Sequence, residues 1–373
     1  MAGLPEKMRA LVATAPGTGS VEEIPMPAVQ YGSALVKLDA SLIHNAAKQA
    51  FDAANPFFKM PYPVVPGAHG IGRVVAAGPD AVLIKEGQLV LVASFTRARD
   101  DPNVQNLWGV SPLFTPQTIK LYTSLIRNGV YAEYVLSPLE NLYVVDEARF
   151  LGDPAQGGLG LSIPDLLHLH IDAVVYGGLR SIDLKAGERI IITPGSGFFS
   201  MAAVTVALAM GADVVATSRN ADFLAALKKL HPRVDTVQTT GDVAADSKAL
   251  AAFGPVEAVL DMSPPWATGS KVLTSAASTL RQYGRVCLLG GRMDESIPIP
   301  HGEILLKSLR IQGQFMYQRD DHFRIIRLAE SGLLKLGRAG GYQLAGSFGL
   351  DQFQEAYEKS TKGSSWDIFY FKF

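Results

Sequence analysis

From Arg189 onward the chain alternates short β-branched runs with longer helical ones. RIIIT, Arg189–Thr193, is almost wholly apolar, as a strand covered on both faces of a parallel sheet must be. A glycine-containing turn follows, Pro194-Gly195-Ser196-Gly197-Phe198-Phe199-Ser200, and then a run rich in Ala and Met over 201–210 that predicts a helix. Gly211 stands where a left-handed C-terminal cap belongs, and 214–217 predicts the next strand. The alternation continues with helices over 221–230, 243–253 and 270–280, and strands over 236–239, 258–262, 284–289 and 309–313. Such a series predicts an α/β fold with a doubly wound parallel sheet.

Ahead of this region the pattern changes. Extended runs over 35–43, 69–77 and 88–92, separated by Gly and Pro turns, predict a compact β-rich unit across 8–160. The pattern weakens over 92–129, where a short helix at 116–127 is expected inside a long surface lobe, and strand returns at 129–137. Leu166, Leu167, His170 and Val174 recur at helical spacing and predict a helix over 163–179. The tail holds helices at 322–331 and 351–359 and a strand at 367–371, which are expected to rejoin the first unit. Two domains result, 1–162 with 320–373, and 163–319, with the reacting groups in the cleft between them.

The spacing of the turn is that of the dinucleotide motif G-x-G-x-x-G, with Gly195 and Gly197 in the first positions and Ser200 in the third. The first glycine permits the tight turn. The second lets backbone N–H groups approach a pyrophosphate at the helix N-terminus, where the helix dipole also favours an anion. Phe198 and Phe199 put bulk where small residues are usual, so one ring is expected under the sheet and the other beside the cofactor groove.

Composition narrows the classes. The chain has 373 residues, 48% hydrophobic and 18% charged, which suits two globular cores and excludes disorder. A net charge of −1 gives no electrostatic footprint for nucleic acid or anionic membrane. The single cysteine, Cys287, excludes an internal disulfide and a four-cysteine zinc lobe. With no signal-like N-terminus and no apolar run of membrane length, a soluble cytoplasmic protein is the expectation.

The segments Val36 to Lys48 (VKLDASLIHNAAK), Pro63 to Gly78 (PVVPGAHGIGRVVAAG), EGQLVLV at 86–92, VYAEYV at 130–135, the glycine turn and LKSLRIQGQF at 306–315 occur in one order. In that order they resemble the medium-chain dehydrogenase/reductase superfamily, alcohol dehydrogenase-like proteins that include zinc-free quinone oxidoreductases and enoyl reductases. The resemblance implies a GroES-like catalytic domain beside the Rossmann domain. It also implies a metal question. Where zinc-dependent members carry a cysteine ligand this chain has Ile43, and where they carry a histidine ligand it has Ala68. His69 replaces the glutamate behind the metal, and the third ligand position falls near His170. Zinc needs about three or four protein ligands, so loss of the metal is expected. A rebuilt site from His44, His69 and His170 is the rival reading, and a hydrogen-bonded core role for His170 is the plainer one. His301 and His322 are expected at the surface.

The second Rossmann strand ends Thr217-Ser218-Arg219-Asn220 without a carboxylate before Asp222. NAD enzymes place an acid there, whereas Ser218 and Arg219 suit a 2′-phosphate, so NADP(H) is the expected cofactor. Gly195, Ser196, Gly197, Phe198, Phe199, Ser218, Arg219, Met262, Leu289, Gly290 and Phe315 form the expected cofactor set. Without a metal, hydride transfer suits an activated C=C bond, whose developing oxyanion needs only hydrogen-bond donors. His44, Asn45 and His69 are the candidate catalytic residues, and Phe57, Phe58, Phe95 and Trp108 the candidate substrate pocket. A carbonyl reductase or alcohol dehydrogenase and a non-catalytic NADPH-binding sensor stay open as alternatives. The resemblance further implies a homodimer built on the late Rossmann strands, with the apolar segment Ile297-Pro298-Ile299 nearby.

Overall fold

The computed structural model describes residues 3–54, 56–124, 127–291 and 296–373. Its six-stranded sheet runs in space through Asp235–Gln238, Asp213–Ser218, Arg189–Thr193, Val256–Asp261, Leu280–Leu288 and Arg310–Gly313, every neighbouring pair parallel. Numbered along the chain, that order is 3-2-1-4-5-6. The switch point therefore lies between Arg189–Thr193 and Val256–Asp261, beside the glycine turn. Ile190, Ile191 and Ile192 are fully buried, which is why the first strand carries no polar alternation.

The second sheet is mainly antiparallel: Gln343–Phe348, Asp367–Lys372, Ser33–Leu42, Gly70–Ala77, Leu89–Val92 and Leu142–Val144, with Tyr134–Pro138 also on Ser33–Leu42. The last two strands of the chain belong to this sheet. Tyr370 pairs with Leu42 and Phe371 with Ser41, and the Ile43 N–H donates to the Phe369 carbonyl at 2.8 Å. The last strand thus fixes the start of the His44 turn. Strands Ser33–Leu42 and Gly70–Ala77 approach so closely that a Cβ on Gly72 would lie 2.1 Å from the Lys37 carbonyl oxygen.

One continuous core joins the two units. Leu42, Ile71 and Leu91 of the antiparallel sheet pack in the same cluster as Leu169, Ile192 and Ala202. Helix Leu169–Ser181 lies against both helix Phe198–Ala209 and helix Arg319–Glu330, so the connections between the units are themselves packed elements.

Several expected boundaries move. The helix expected over 163–179 divides into a 3-10 turn, Ile163–His168, with Pro164 at its start, and an α-helix, Leu169–Ser181. The helix after the glycine turn begins at Phe198 rather than 201, and Gly211 follows it at φ +89°. The strand expected over 129–137 is regular only over Tyr134–Pro138. The residues before it instead bridge the N-terminal hairpin and the 65–67 segment through Leu11 N–H to Tyr131 O and Gly129 N–H to Val65 O. That hairpin, Lys7–Ala15 with Thr18–Pro25, has a largely exposed second strand and so little apolar alternation to announce it. The helix expected over 116–127 is found as Pro116–Ser124, and residues 125 and 126 lie outside the described ones.

Candidate active site

The expected cofactor residues gather at the carboxyl ends of the parallel strands, which terminate at Thr193, Ser218, Asp261 and Leu288. Gly195 is held by its N–H on the Thr217 carbonyl at 2.6 Å, and a Cβ there would come within 2.8 Å of the Ala216 Cβ. Gly197, at φ +131°, turns the chain into the helix. Met262 N–H bonds to Thr193 O, and the Leu289 and Gly290 N–H groups to Asp261 O, so these strand ends share one rim.

The two phenylalanines of the turn point toward the other unit. Phe198 enters the core, with its ring 5.5 Å from His168 and 6.0 Å from His44; Phe199 is half-buried with its ring 5.1 Å from His44. Beneath them His168 Nδ1 stands 3.0 Å from the Asp172 carboxylate, both fully enclosed, and burial raises the Asp172 pKa. Ser218 does not project into the crevice as expected. Its hydroxyl donates to Ser196 Oγ at 3.0 Å and accepts from the Asn220 N–H, because the backbone after the strand folds back on it. Ser196 Oγ, already accepting, keeps its own proton to donate. Arg219 is exposed, with no ion pair among the described residues.

His44 sits on the turn after strand Ser33–Leu42. The Ala46 N–H donates to its Nδ1 at 3.0 Å, so the neutral ring carries its proton on Nε2, and that nitrogen is enclosed without a partner. Burial lowers its pKa to about 4, so at neutral pH it is an uncharged donor. Asn45, next in the chain, is exposed.

His69 opens strand Gly70–Ala77 and stacks on His170, with ring centroids 4.7 Å apart at 12°. His170 is fully buried, and its Nε2–H donates to the Gly70 carbonyl at 3.0 Å, which leaves Nδ1 to accept from His322 Nε2–H at 3.3 Å. His322 is therefore not at the surface, where it is expected. It is wholly enclosed under Tyr143, whose ring stacks 4.2 Å above it, because helix Arg319–Glu330 turns that face onto helix Leu169–Ser181. Burial lowers the pKa of His170 to about 4; it holds those of His69 and His322 well below the usual histidine range, with neighbouring imidazoles adding to the effect.

Two family models match the chain: the alcohol dehydrogenase GroES-like domain over residues 30–147 and the zinc-binding dehydrogenase domain over 200–331. An alcohol dehydrogenase of Moraxella sp. (strain TAE123) is 28% identical over 315 residues, covering 84% of this chain and 86% of that protein. An acryloyl-coenzyme A reductase of Sulfurisphaera tokodaii is 21% identical over 365 residues, covering 94% and 96%. A solved structure described as a zinc-binding dehydrogenase from Sinorhizobium meliloti 1021 bound to NADP shares the fold, with a TM-score of 0.75 at 19% identity over 99% of this chain and 100% of that one. The chain belongs to the medium-chain dehydrogenase/reductase superfamily.

As a member of that superfamily it is an oxidoreductase of nicotinamide nucleotides, and zinc is the metal the family name raises. The residues at the cleft do not suit that ion. Ile43 and Ala68 offer no donor atom, His69 and His170 present ring faces rather than converging nitrogens, and both His170 nitrogens are engaged. Among the described residues no group of three or more His, Cys, Asp or Glu is placed to hold a metal ion.

The superfamily member's aromatic cluster is smaller than expected. Phe57 meets Phe58 and Phe315 with centroids 5.2 and 6.4 Å away, and Phe95 meets Phe315 at 5.7 Å. Trp108 does not join them: it is fully buried in the second core with Tyr122 and Tyr131. Arg97, which sequence reading passed over, lies 4.5 Å above the Phe95 ring and donates to the Tyr317 carbonyl at 2.6 Å. Nothing in its local sequence distinguishes it from other loop arginines.

Proposed function

We propose that this chain is a zinc-independent, NADPH-dependent reductase that acts on the activated C=C bond of an apolar small molecule: an enone, a quinone or an enoyl group. The observation that carries the reading is the donor set at the cleft, where Ile43, Ala68 and a fully bonded His170 stand in the positions that would hold zinc. A substrate that needs no Lewis acid is the chemistry left to such a site. The acryloyl group in one relative's name is a C=C bond of this kind.

The cofactor residues fit NADPH. Gly195 lets the turn pack against Ala216 and Gly197 carries no side chain where a pyrophosphate would approach, while the Ser196 hydroxyl and the unpaired Arg219 guanidinium suit a ribose 2′-phosphate. Bound NADPH would supply the hydride. His44 offers its enclosed, neutral Nε2–H to the carbonyl oxygen as negative charge develops there, with Asn45 beside it as a second donor. His69, kept neutral by burial, can hold the substrate carbonyl through Nε2 in the same way. Phe57, Phe58, Phe95 and Phe315 supply the apolar wall, and exclusion of water by their rings strengthens each hydrogen bond.

A second reading, reduction of a ketone or aldehyde, is favoured by the relative named an alcohol dehydrogenase. The two separate in one assay. NADPH oxidation with an enone, insensitive to chelator and absent with the saturated ketone, is the expected result; turnover of the saturated ketone that chelation abolishes would overturn it.

The assembly proposed is a two-fold dimer. Among the described residues the edge strand Arg310–Gly313 has no strand on its outer side, and Leu305, Leu306 and Ile297 are exposed close to it in the chain.

A further inference from the structure

At the glycine turn a segment from the far end of the chain lies across the dinucleotide crevice. Between helix Phe353–Lys362 and strand Asp367–Lys372, the stretch Gly363-Ser364-Ser365-Trp366 passes over the N-termini of two Rossmann helices. Ser365 Oγ accepts the Gly197 N–H at 3.0 Å, so a backbone donor that the turn would present to a pyrophosphate is already bonded. One strand over, the Trp366 ring packs on Phe223, in the first turn of helix Ala221–Leu230, with centroids 5.6 Å apart. That helix follows directly on Arg219.

The segment holds its own shape. Asp367 accepts the Ser364 N–H at 2.7 Å and the Trp366 N–H donates to Ser364 Oγ at 3.3 Å, while Gln343 also donates to Asp367. Beneath it lies a cavity of about 100 Å³ between Asn45, Phe198 and Ser364. That is well short of the roughly 300–1,000 Å³ typical of a small-molecule cleft. Asp367 also lines this cavity.

We propose that residues 363–366 are a strap that gates the dinucleotide crevice, with Ser365 occupying the Gly197 N–H and Trp366 clamping Phe223 until the cofactor displaces them. The inference rests on the reading of this crevice as the nicotinamide-nucleotide site. In energetic terms the open form is the binding-competent one, and the observed dissociation constant is the intrinsic one divided by the open fraction. One neutral hydrogen bond of ordinary strength then weakens cofactor binding about three- to tenfold.

The test is titration of the full-length protein with NADPH and with NADH, followed by nucleotide fluorescence, in wild type, Ser365→Ala, Ser365→Thr and Trp366→Phe. Ser365→Ala is expected to bind about three- to tenfold more tightly, mainly through a faster association rate, and Ser365→Thr, which keeps the hydroxyl, to match wild type. Hydrogen exchange supplies a second readout. Amides 363–366 should exchange faster with NADPH bound than without it, and the Gly197 amide should exchange faster in Ser365→Ala than in wild type. Weaker or unchanged NADPH binding by Ser365→Ala, or added protection of 363–366 on NADPH binding, would overturn the strap while the cofactor reading stands. Failure of every variant and of wild type to bind either nucleotide would overturn both.

Discussion

Lowering the pH from 7 to 5 should unfold this protein far more easily than its composition suggests, and the reason lies in the buried imidazoles. An unfolded histidine titrates near 6.5, whereas burial holds His44 and His170 at about 4 in the folded chain. The folded pKa is the lower one, so between the two values the unfolded state binds more protons. The stability these residues contribute is therefore present above pH 6.5 and is lost as the pH falls toward 4. For a displacement of that size the linkage integral gives about 2 kcal/mol per histidine between pH 7 and pH 5, or roughly 4 kcal/mol for the pair. His69 and His322, also held well below the usual range by burial, add to the loss in the same direction. That is a large part of the roughly 5–15 kcal/mol that separates folded from unfolded domains. Urea unfolding at the two pH values, followed by tryptophan fluorescence and circular dichroism, measures it. The discriminating variant is His170→Asn, which keeps a donor for the Gly70 carbonyl and cannot titrate. Its pH dependence should be smaller than that of wild type by about 2 kcal/mol. An identical pH dependence in wild type and His170→Asn would refute the reasoning.

Replacing His44 by Ala should lower kcat with an enone roughly 100-fold or more while KM changes little, the pattern for loss of a group that acts in the transition state; a rise in KM alone would assign His44 to binding. Arg219→Ala should weaken NADPH binding about tenfold or more and leave NADH binding nearly unchanged, and equal losses for both nucleotides would show that the guanidinium does not meet the 2′-phosphate. Gly72→Ala should cost about 2 kcal/mol in thermal or chemical unfolding, because its Cβ would stand 2.1 Å from the Lys37 carbonyl oxygen; an unchanged midpoint would mean the two strands separate freely.

The sequence by itself determined whatever depends on neighbours along the chain. The apolar run at 190–192 reads as a covered parallel strand, and Gly195, Gly197 and Gly211 marked the turn and cap around the helix that follows, because positive φ at Gly197 and Gly211 and the close approach of Ala216 to Gly195 exclude a side chain. The β-rich first unit, the Rossmann alternation and the returning tail were legible for the same reason, as was the absence of donor atoms at Ile43 and Ala68. Tertiary structure decided the properties that depend on what comes from elsewhere in the chain. His322 has no local pattern to mark it and is expected at the surface, yet helix Leu169–Ser181 buries it against His170, 152 residues away. Ser218 reads as a phosphate donor until the fold gives its hydroxyl to Ser196, and Trp108 as a pocket wall until the lobe closes around it. The hold of Ser365 on Gly197 spans 168 residues. Local pattern records which face of an element is apolar, but the partner that fills a hydrogen bond across the molecule is set only when the elements pack.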